Sequence, residues 1–357
     1  MRTLLFHFLL TVSVSAAHAA APTTSLPSTH RNYGLGLAAP LASLPADSPQ
    51  FREQSLYTPA EFDPATELQM TAETFQRMHR QLVGTVDRTA DLVVIVRNSS
   101  EARSVASAWK SAGGAENRLR TQMIAHDSFW YQDYSPFYSV GADGKLVSND
   151  FVYNRYNRVN DDAVPERLAQ QQGVMNRKVT MFYEGGNFIS DGKGRCFATS
   201  RIYQQNPQLS QDQVKQLMAA NLGCRELIVL TAMVDDITFH IDLWAKMIDD
   251  HTFLVGDLVD HPRNKEIVDK NAATLAALGY NVVRFPVHSP ASMDYRTHVN
   301  AFFINGYVIL PEYGGEGDRE AVPLYEKLGF KPIVIDVSDL TGAGGAVHCI
   351  LRSKPRI

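Results

Sequence analysis

Cysteine is scarce in this chain of 357 residues: Cys196, Cys224 and Cys349 are the only three, too few and too scattered for a disulfide framework. At most one bridge can form, which leaves an odd thiol, and each cysteine taken alone reads as a small buried apolar side chain. Charge of one sign is lacking as well. With 34 Lys and Arg against 38 Asp and Glu the net charge is -4, which argues against nucleic-acid binding through bulk charge. After the first residues no run reaches the ~20 apolar residues needed to cross a bilayer. Neither a GxGxxG nor a phosphate-binding loop occurs, which disfavours an open doubly wound nucleotide-binding sheet. The hydrophobic content is 45%, ample for a sizeable core.

Residues 1–19, MRTLLFHFLLTVSVSAAHA, place Arg2 before an apolar run from Leu4 to Val14 and end on Ala17-His18-Ala19, a signal-peptidase pattern. The chain is therefore expected to be exported, secreted or periplasmic, with no membrane anchor. Losing Arg2 with the leader brings the net charge to -5. Residues 20–60 carry Pro22, Pro27, Pro40, Pro45, Pro49 and Pro59 without an apolar period, and read as an N-terminal extension that wraps or frays. Residues 61–357 form the expected catalytic domain.

That domain repeats itself. A helix-ending glycine followed by a β-type run recurs at Gly113, Gly173, Gly223, Gly279 and Gly329, at intervals of 50 to 60 residues. Glycine suits the left-handed position that closes a helix, and the apolar runs RTQMIAHD, KVTMFYEGG, ELIVLTAM, NVVRFPV and KPIVIDV suit buried strands. Ser210 with Gln213 forms a capping-box signal ahead of the third of these. DLVVIV at 91–96 and AFFINGYVIL at 301–310 add further strands. The period points to five α/β modules that bury their faces against one another.

If the modules surround one centre, the loop after each core strand faces it. Those loops carry Trp130 and Asp133, then Glu184 and Asn187, then His240 and Asp242, then Asn300, and finally Cys349 in GAGGAVHCI. In extended backbone His240 and Asp242 would share a face. A cysteine with a distant histidine is the arrangement of covalent catalysis, in which the imidazole shuttles protons. Several carboxylates at the same point oppose thiolate formation unless the substrate brings positive charge, and a guanidinium matches paired carboxylates. On this reading Cys349 attacks the guanidinium carbon, His240 protonates the departing ammonia, and Asp133 and Asp242 hold the substrate.

The stretches FWYQDYSP, EGGNFISDGKG, FHIDLWAK, VNAFFINGYVILP and GAGGAVHC together resemble the guanidino-modifying pentein enzymes, with closest likeness to Porphyromonas-type peptidylarginine deiminases and agmatine deiminases. The resemblance runs from about Leu92 to the C-terminus. It implies a five-bladed α/β propeller of pseudo-symmetric ββαβ units, no cofactor or metal, and Cys349, His240, Asp242, Asp133 and Asn300 as catalytic residues. It also departs from the family. Gln132 and Ser135 stand where Arg and Gly are common around the first aspartate. VYNRYNRVNDD supplies Arg155, but Asn157 occupies the place of a second arginine used by the peptidyl enzymes to grip a substrate carboxylate.

Each motif has a plainer reading. His240-x-Asp242 alone is weak, Glu184-Gly185-Gly186-Asn187 alone is a tight turn, and Asp235 and Asp236 read as strand-end caps. Trp130 packs in the core or walls the alkyl part of a substrate. His348 adjoins Cys349, but neighbours on extended backbone point apart, so the expected partner of Cys349 is His240. The leading expectation is a secreted peptidyl-arginine deiminase acting on arginine-containing peptides or proteins, with Trp130, Arg155, Glu184 and Asn187 binding substrate. The alternatives are an agmatine deiminase and an inactive guanidinium-binding protein.

Overall fold

The computed structural model describes residues 56–234, 236, 238–288, 296–340 and 345–357. The expected leader, most of the extension, Asp235 and the glycines at 342 and 344 lie outside the described residues. Five small sheets make up the α/β architecture. Strands β1 (Ala65–Thr71), β2 (Asp91–Val96) and β3 (Leu119–Met123) run parallel, and the C-terminal β16 (Arg352–Pro355) pairs antiparallel with β1. The other sheets repeat one plan, an antiparallel pair followed through a helix by a parallel third strand. They are β4 (Phe137–Val140), β5 (Leu146–Val152) and β6 (Met175–Phe182); β7 (Ile189–Ser190), β8 (Arg195–Thr199) and β9 (Glu226–Leu230); β10 (Ala245–Met247), β11 (Thr252–Asp257) and β12 (Asn281–Pro286); and β13 (Phe302–Ile304), β14 (Tyr307–Glu312) and β15 (Lys331–Asp336).

All five repeat glycines have positive φ, from 66° at Gly173 to 94° at Gly279, and each follows a helix and precedes the third strand of a sheet. The backbone geometry that L side chains resist thus marks the period read from the sequence. The capping box is present: Gln213 N donates to Ser210 Oγ and Ser210 N donates to Gln213 Oε1. AFFINGYVIL is two strands, β13 and β14, because Asn305 (φ 48°) and Gly306 (φ 84°) form a hairpin turn within it.

The strands after the repeat glycines, expected to be buried, are instead edge strands, largely half-buried or exposed, and β3 has no buried residue; burial is concentrated in the inner strands. In β2, Leu92 through Val96 are each fully buried, worth about 1.5–3 kcal/mol per side chain. Cys196 in β8 and Cys224, just after the helix Gln211–Leu222, form a disulfide instead of remaining separate buried thiols. The connection between them runs from one strand of a sheet to the next, so the bond ties the helix end back to β8. Leu56 to Ala60 already belong to the packed unit: Tyr57 bridges Val140, and Thr58 Oγ1 donates to Leu222 O. Among the described residues no helix is long and apolar enough to cross a membrane.

Candidate active site

The five loops converge, and each does so on short irregular backbone. Asp133 sits in the helical turn Tyr131–Tyr134, Glu184 precedes a 3-10 turn at Gly185–Asn187, and His240 precedes another at Ile241–Leu243 that contains Asp242. Asn300 lies just before β13, and Cys349 is in a 3-10 turn at His348–Ile350. The expectation of extended backbone at His240-Ile241-Asp242 and at His348-Cys349 is therefore corrected. A 3-10 turn aims successive side chains about 120° apart, so neighbours reach different parts of one site. His240 is delivered by strained backbone. Phe239 has φ 61°, held by Asp236, which accepts from Phe239 N at 2.6 Å, and by Thr199 Oγ1, which donates to Phe239 O at 2.7 Å. Asp236, expected to cap a strand end, instead caps the loop turn that precedes His240, since β9 ends at Leu230.

Asp133, Glu184, His240, Asp242, Asn300 and Cys349 are all buried. His240 Nε2 donates to Glu184 Oε2 at 2.7 Å, and Nδ1 lies 3.6 Å from Asp133 Oδ1. Asn300 Nδ2 is 3.5 Å from Cys349 Sγ and also donates to Asp242 O. Cys349 Sγ lies 3.7 Å from Asp242 Oδ2. Gly186 shows how close the approach is, since a Cβ there would fall 2.3 Å from His240 Nδ1 and 3.1 Å from both Asp133 Oδ1 and Asp242 Oδ2. Only glycine leaves that space open, which a turn propensity alone does not explain. Asp242 Oδ1 is buried without a hydrogen-bond partner, an acceptor held ready for a ligand.

The electrostatics divide the two halves of the site. Burial works against the charge on His240, yet Asp133 and Glu184 raise its pKa to about 9, so at neutral pH it is an imidazolium. Glu184 remains ionised well below the usual carboxylate range, because Arg155 and His240 outweigh its burial. Burial together with neighbouring carboxylates pushes Asp133 up. Cys349 is pushed well above the ordinary thiol range by burial first, then by Asp242 and Asp133, so the resting site holds a neutral thiol.

The four expected substrate-binding residues part ways. The Trp130 ring flanks Cys349: a Cβ on Gly345 would lie 2.4 Å from the indole and 3.2 Å from Sγ. Arg155 is spent on Glu184, donating from Nε to Oε1 at 2.6 Å and from Nη2 to Oε2 at 2.8 Å. Glu184 accordingly grips His240 and Arg155, and Asn187 accepts from Thr199 N at 2.9 Å to fix its turn. Sequence reasoning missed three charged groups, the half-buried Glu61 and the buried Lys246 and His348. The one available signal was Lys246 between the apolar residues of Trp244-Ala245-Lys246-Met247. Among the described residues no group of three or more His, Cys, Asp or Glu side chains converges as a metal site.

A family model described as Porphyromonas-type peptidyl-arginine deiminase matches residues 52–355. The agmatine deiminase of Medicago truncatula is 22% identical over 306 residues, covering 70% of this chain and 82% of that protein. The fold is similar to that of the C. jejuni agmatine deiminase (TM-score 0.72, 20% identity, 85% of this chain and 96% of that one). It is likewise similar to the agmatine deiminase of Enterococcus faecalis (TM-score 0.71, 18% identity, 84% and 96%). With the matching model spanning nearly the whole described chain, the protein belongs to the Porphyromonas-type peptidyl-arginine deiminase family, hydrolases of carbon–nitrogen bonds in linear amidines.

Proposed function

We propose that the protein deiminates agmatine, or a closely similar guanidino-alkylamine, to the ureido product and ammonia. The observation that carries this reading over the peptidyl one is the engagement of Arg155. Its guanidinium lies against Glu184 in a two-armed ion pair, so it is not poised to take the carboxylate of a C-terminal arginine. Agmatine has no carboxylate to bind. Agmatine deiminases among the relatives and similar folds support the same choice.

The chemistry follows from the resting state of the site. A guanidinium entering between Asp133 and Asp242 offsets the two carboxylates that hold the Cys349 thiol neutral, and Sγ releases its proton to solvent and attacks the guanidinium carbon. His240 gives its proton to the departing amino group, ammonia leaves, and a thiouronium remains on sulfur. The neutral imidazole then takes a proton from water, whose oxygen adds to the same carbon. As the C–S bond breaks the hydroxyl proton returns to Sγ, restoring the neutral thiol, and the ureido product departs, while the released ammonia takes up the proton given to solvent in the first step. Burial keeps bulk water from competing and strengthens each charge interaction.

The same reading includes the five sheets as blades of one propeller, supported by the contribution of each module to a single centre. Export is proposed too. The leader-like start of the chain and the Cys196–Cys224 disulfide support it, since such bonds persist outside the reducing cytoplasm. N-terminal sequencing of the protein from an extracytoplasmic fraction tests export, with a start at Ala20 expected. Function is tested by offering agmatine, free arginine, a C-terminal-arginine peptide and an internal-arginine peptide, and measuring ureido product and ammonia. Agmatine is expected to be turned over best. Turnover of a peptide alone would return the protein to the peptidyl reading, and no product from any of the four would remove the deiminase reading.

A further inference from the structure

Behind the carboxylate of Asp242 runs a largely buried line of charged side chains that the mechanism above does not use. His348 Nδ1 donates to Asp242 Oδ2 at 2.8 Å, and His348 Nε2 donates to Glu61 Oε2 at 2.6 Å. Glu61 in turn accepts from the Lys246 ammonium, 2.7 Å from Oε1 and 2.9 Å from Oε2, and from Phe303 N at 2.8 Å. Both ring nitrogens of His348 thus face carboxylate oxygens, which suits an imidazolium with two N–H donors. Acidic and basic side chains alternate along the line, Asp242, His348, Glu61 and Lys246. The Gln132 amide lies 3.5 Å from His348 Nε2, and the Arg352 guanidinium joins Glu61, Lys246, His348 and Asp242 around a cavity of about 70 Å³.

We infer that His348 and Glu61 are positioning residues for the guanidinium site, Glu61 holding the His348 ring and His348 anchoring Asp242 through Oδ2 so that Oδ1 faces the substrate. The two oxygens of Asp242 differ in a way that this explains. Oδ2 is taken by His348, whereas Oδ1 is buried with no partner. A carboxylate bonded at one oxygen has lost its free rotation about χ2, so the other oxygen points in a fixed direction. Such an anchor also holds Oδ2 in place against the repulsion from the Cys349 sulfur, 3.7 Å away, when the thiol ionises. Burial and Lys246 both act against the charge on His348, but Glu61 and Asp242 outweigh them and raise its pKa above the ordinary histidine value. Glu61 stays ionised down to about pH 2, since Lys246 and His348 overcome its burial.

The inference rests on the reading of Asp242 as a guanidinium ligand, and its test separates the two. Cys349→Ser protein, which lacks the nucleophile, is titrated with agmatine by calorimetry, alone and combined with His348→Ala, His348→Asn or Glu61→Gln, with melting temperatures recorded for each. His348→Ala is expected to weaken agmatine binding about tenfold, the size of a hydrogen bond to a charged group. His348→Asn, whose amide nitrogen stands near the place of Nδ1, is expected to recover most of that loss although it breaks the link to Glu61. Glu61→Gln is expected to weaken binding severalfold and, should His348→Ala fail to fold, decides the matter. Unchanged affinity in His348→Ala and Glu61→Gln, or equal loss in His348→Ala and His348→Asn, would overturn the positioning role while leaving the functional reading standing. Failure of the Cys349→Ser protein itself to bind agmatine would overturn the functional reading and this inference with it.

Discussion

Glu184 Oε2 and His240 Nε2 lie 2.7 Å apart, with both residues buried. The Asp133 carboxylate and that contact together make His240 an acid at neutral pH. Replacing Glu184 by Gln removes the negative charge and leaves a neutral acceptor, so the His240 pKa falls from about 9 toward its ordinary 6.5. The alkaline limb of the kcat profile is expected to move down by a unit or more, and kcat at pH 8 to drop by up to about 30-fold as the proton donor titrates away. An unshifted alkaline limb would assign it to another group.

Cys349→Ala is expected to lower turnover by at least about 10³-fold while the melting temperature stays near that of the parent. Activity within a factor of a few of the parent would take the sulfur out of the mechanism.

Arg155→Gln distinguishes a substrate clamp from a support for Glu184. With the ion pair lost, agmatine turnover is expected to fall about tenfold or more, and any activity on a C-terminal-arginine peptide to fall in proportion. Loss on the peptide with agmatine unaffected would make Arg155 a carboxylate ligand.

Stability should depend on the His240 proton. The folded pKa of about 9 exceeds the ordinary 6.5, so this contribution is fully present below pH 6.5 and is lost as pH rises through 9. The melting temperature of the parent is expected to decline over that range, and the decline to flatten in His240→Gln. Parallel profiles for the two proteins would show that His240 does not set the alkaline loss.

The double variant Cys196→Ala, Cys224→Ala opens a loop of 28 residues' separation. It is expected to lose about 2–4 kcal/mol of stability, seen as an earlier denaturant midpoint. Reductant should destabilise the parent similarly and leave the variant alone.

The repeat was legible in the chain because helix-closing glycines and strand-forming runs impose local rules. Gly113, Gly173, Gly223, Gly279 and Gly329 all adopt the left-handed conformation expected of them, and each is followed by the expected strand. Site membership was legible for the same reason, since a period places equivalent loops together. Asp133, Glu184, His240, Asp242, Asn300 and Cys349 do meet. Partners within the site were not legible. Arg155 has the same sequence whether it faces a substrate carboxylate or Glu184, and the pairing of Cys196 with Cys224 leaves no local trace. His348 was set aside on an argument from extended backbone, but a 3-10 turn sends it to Asp242 and leaves Cys349 facing Asn300.

By itself, then, the amino-acid sequence determined the modules, their number and the chemical inventory of the centre, all consequences of short-range backbone preference and apolar periodicity. Only the tertiary structure decided which oxygen of Asp242 is occupied, which cation Glu184 holds and where Glu61 and Lys246 go. Those choices are made by hydrogen bonds between residues tens to hundreds of positions apart, enforced because a buried charge must find a partner wherever the chain brings one.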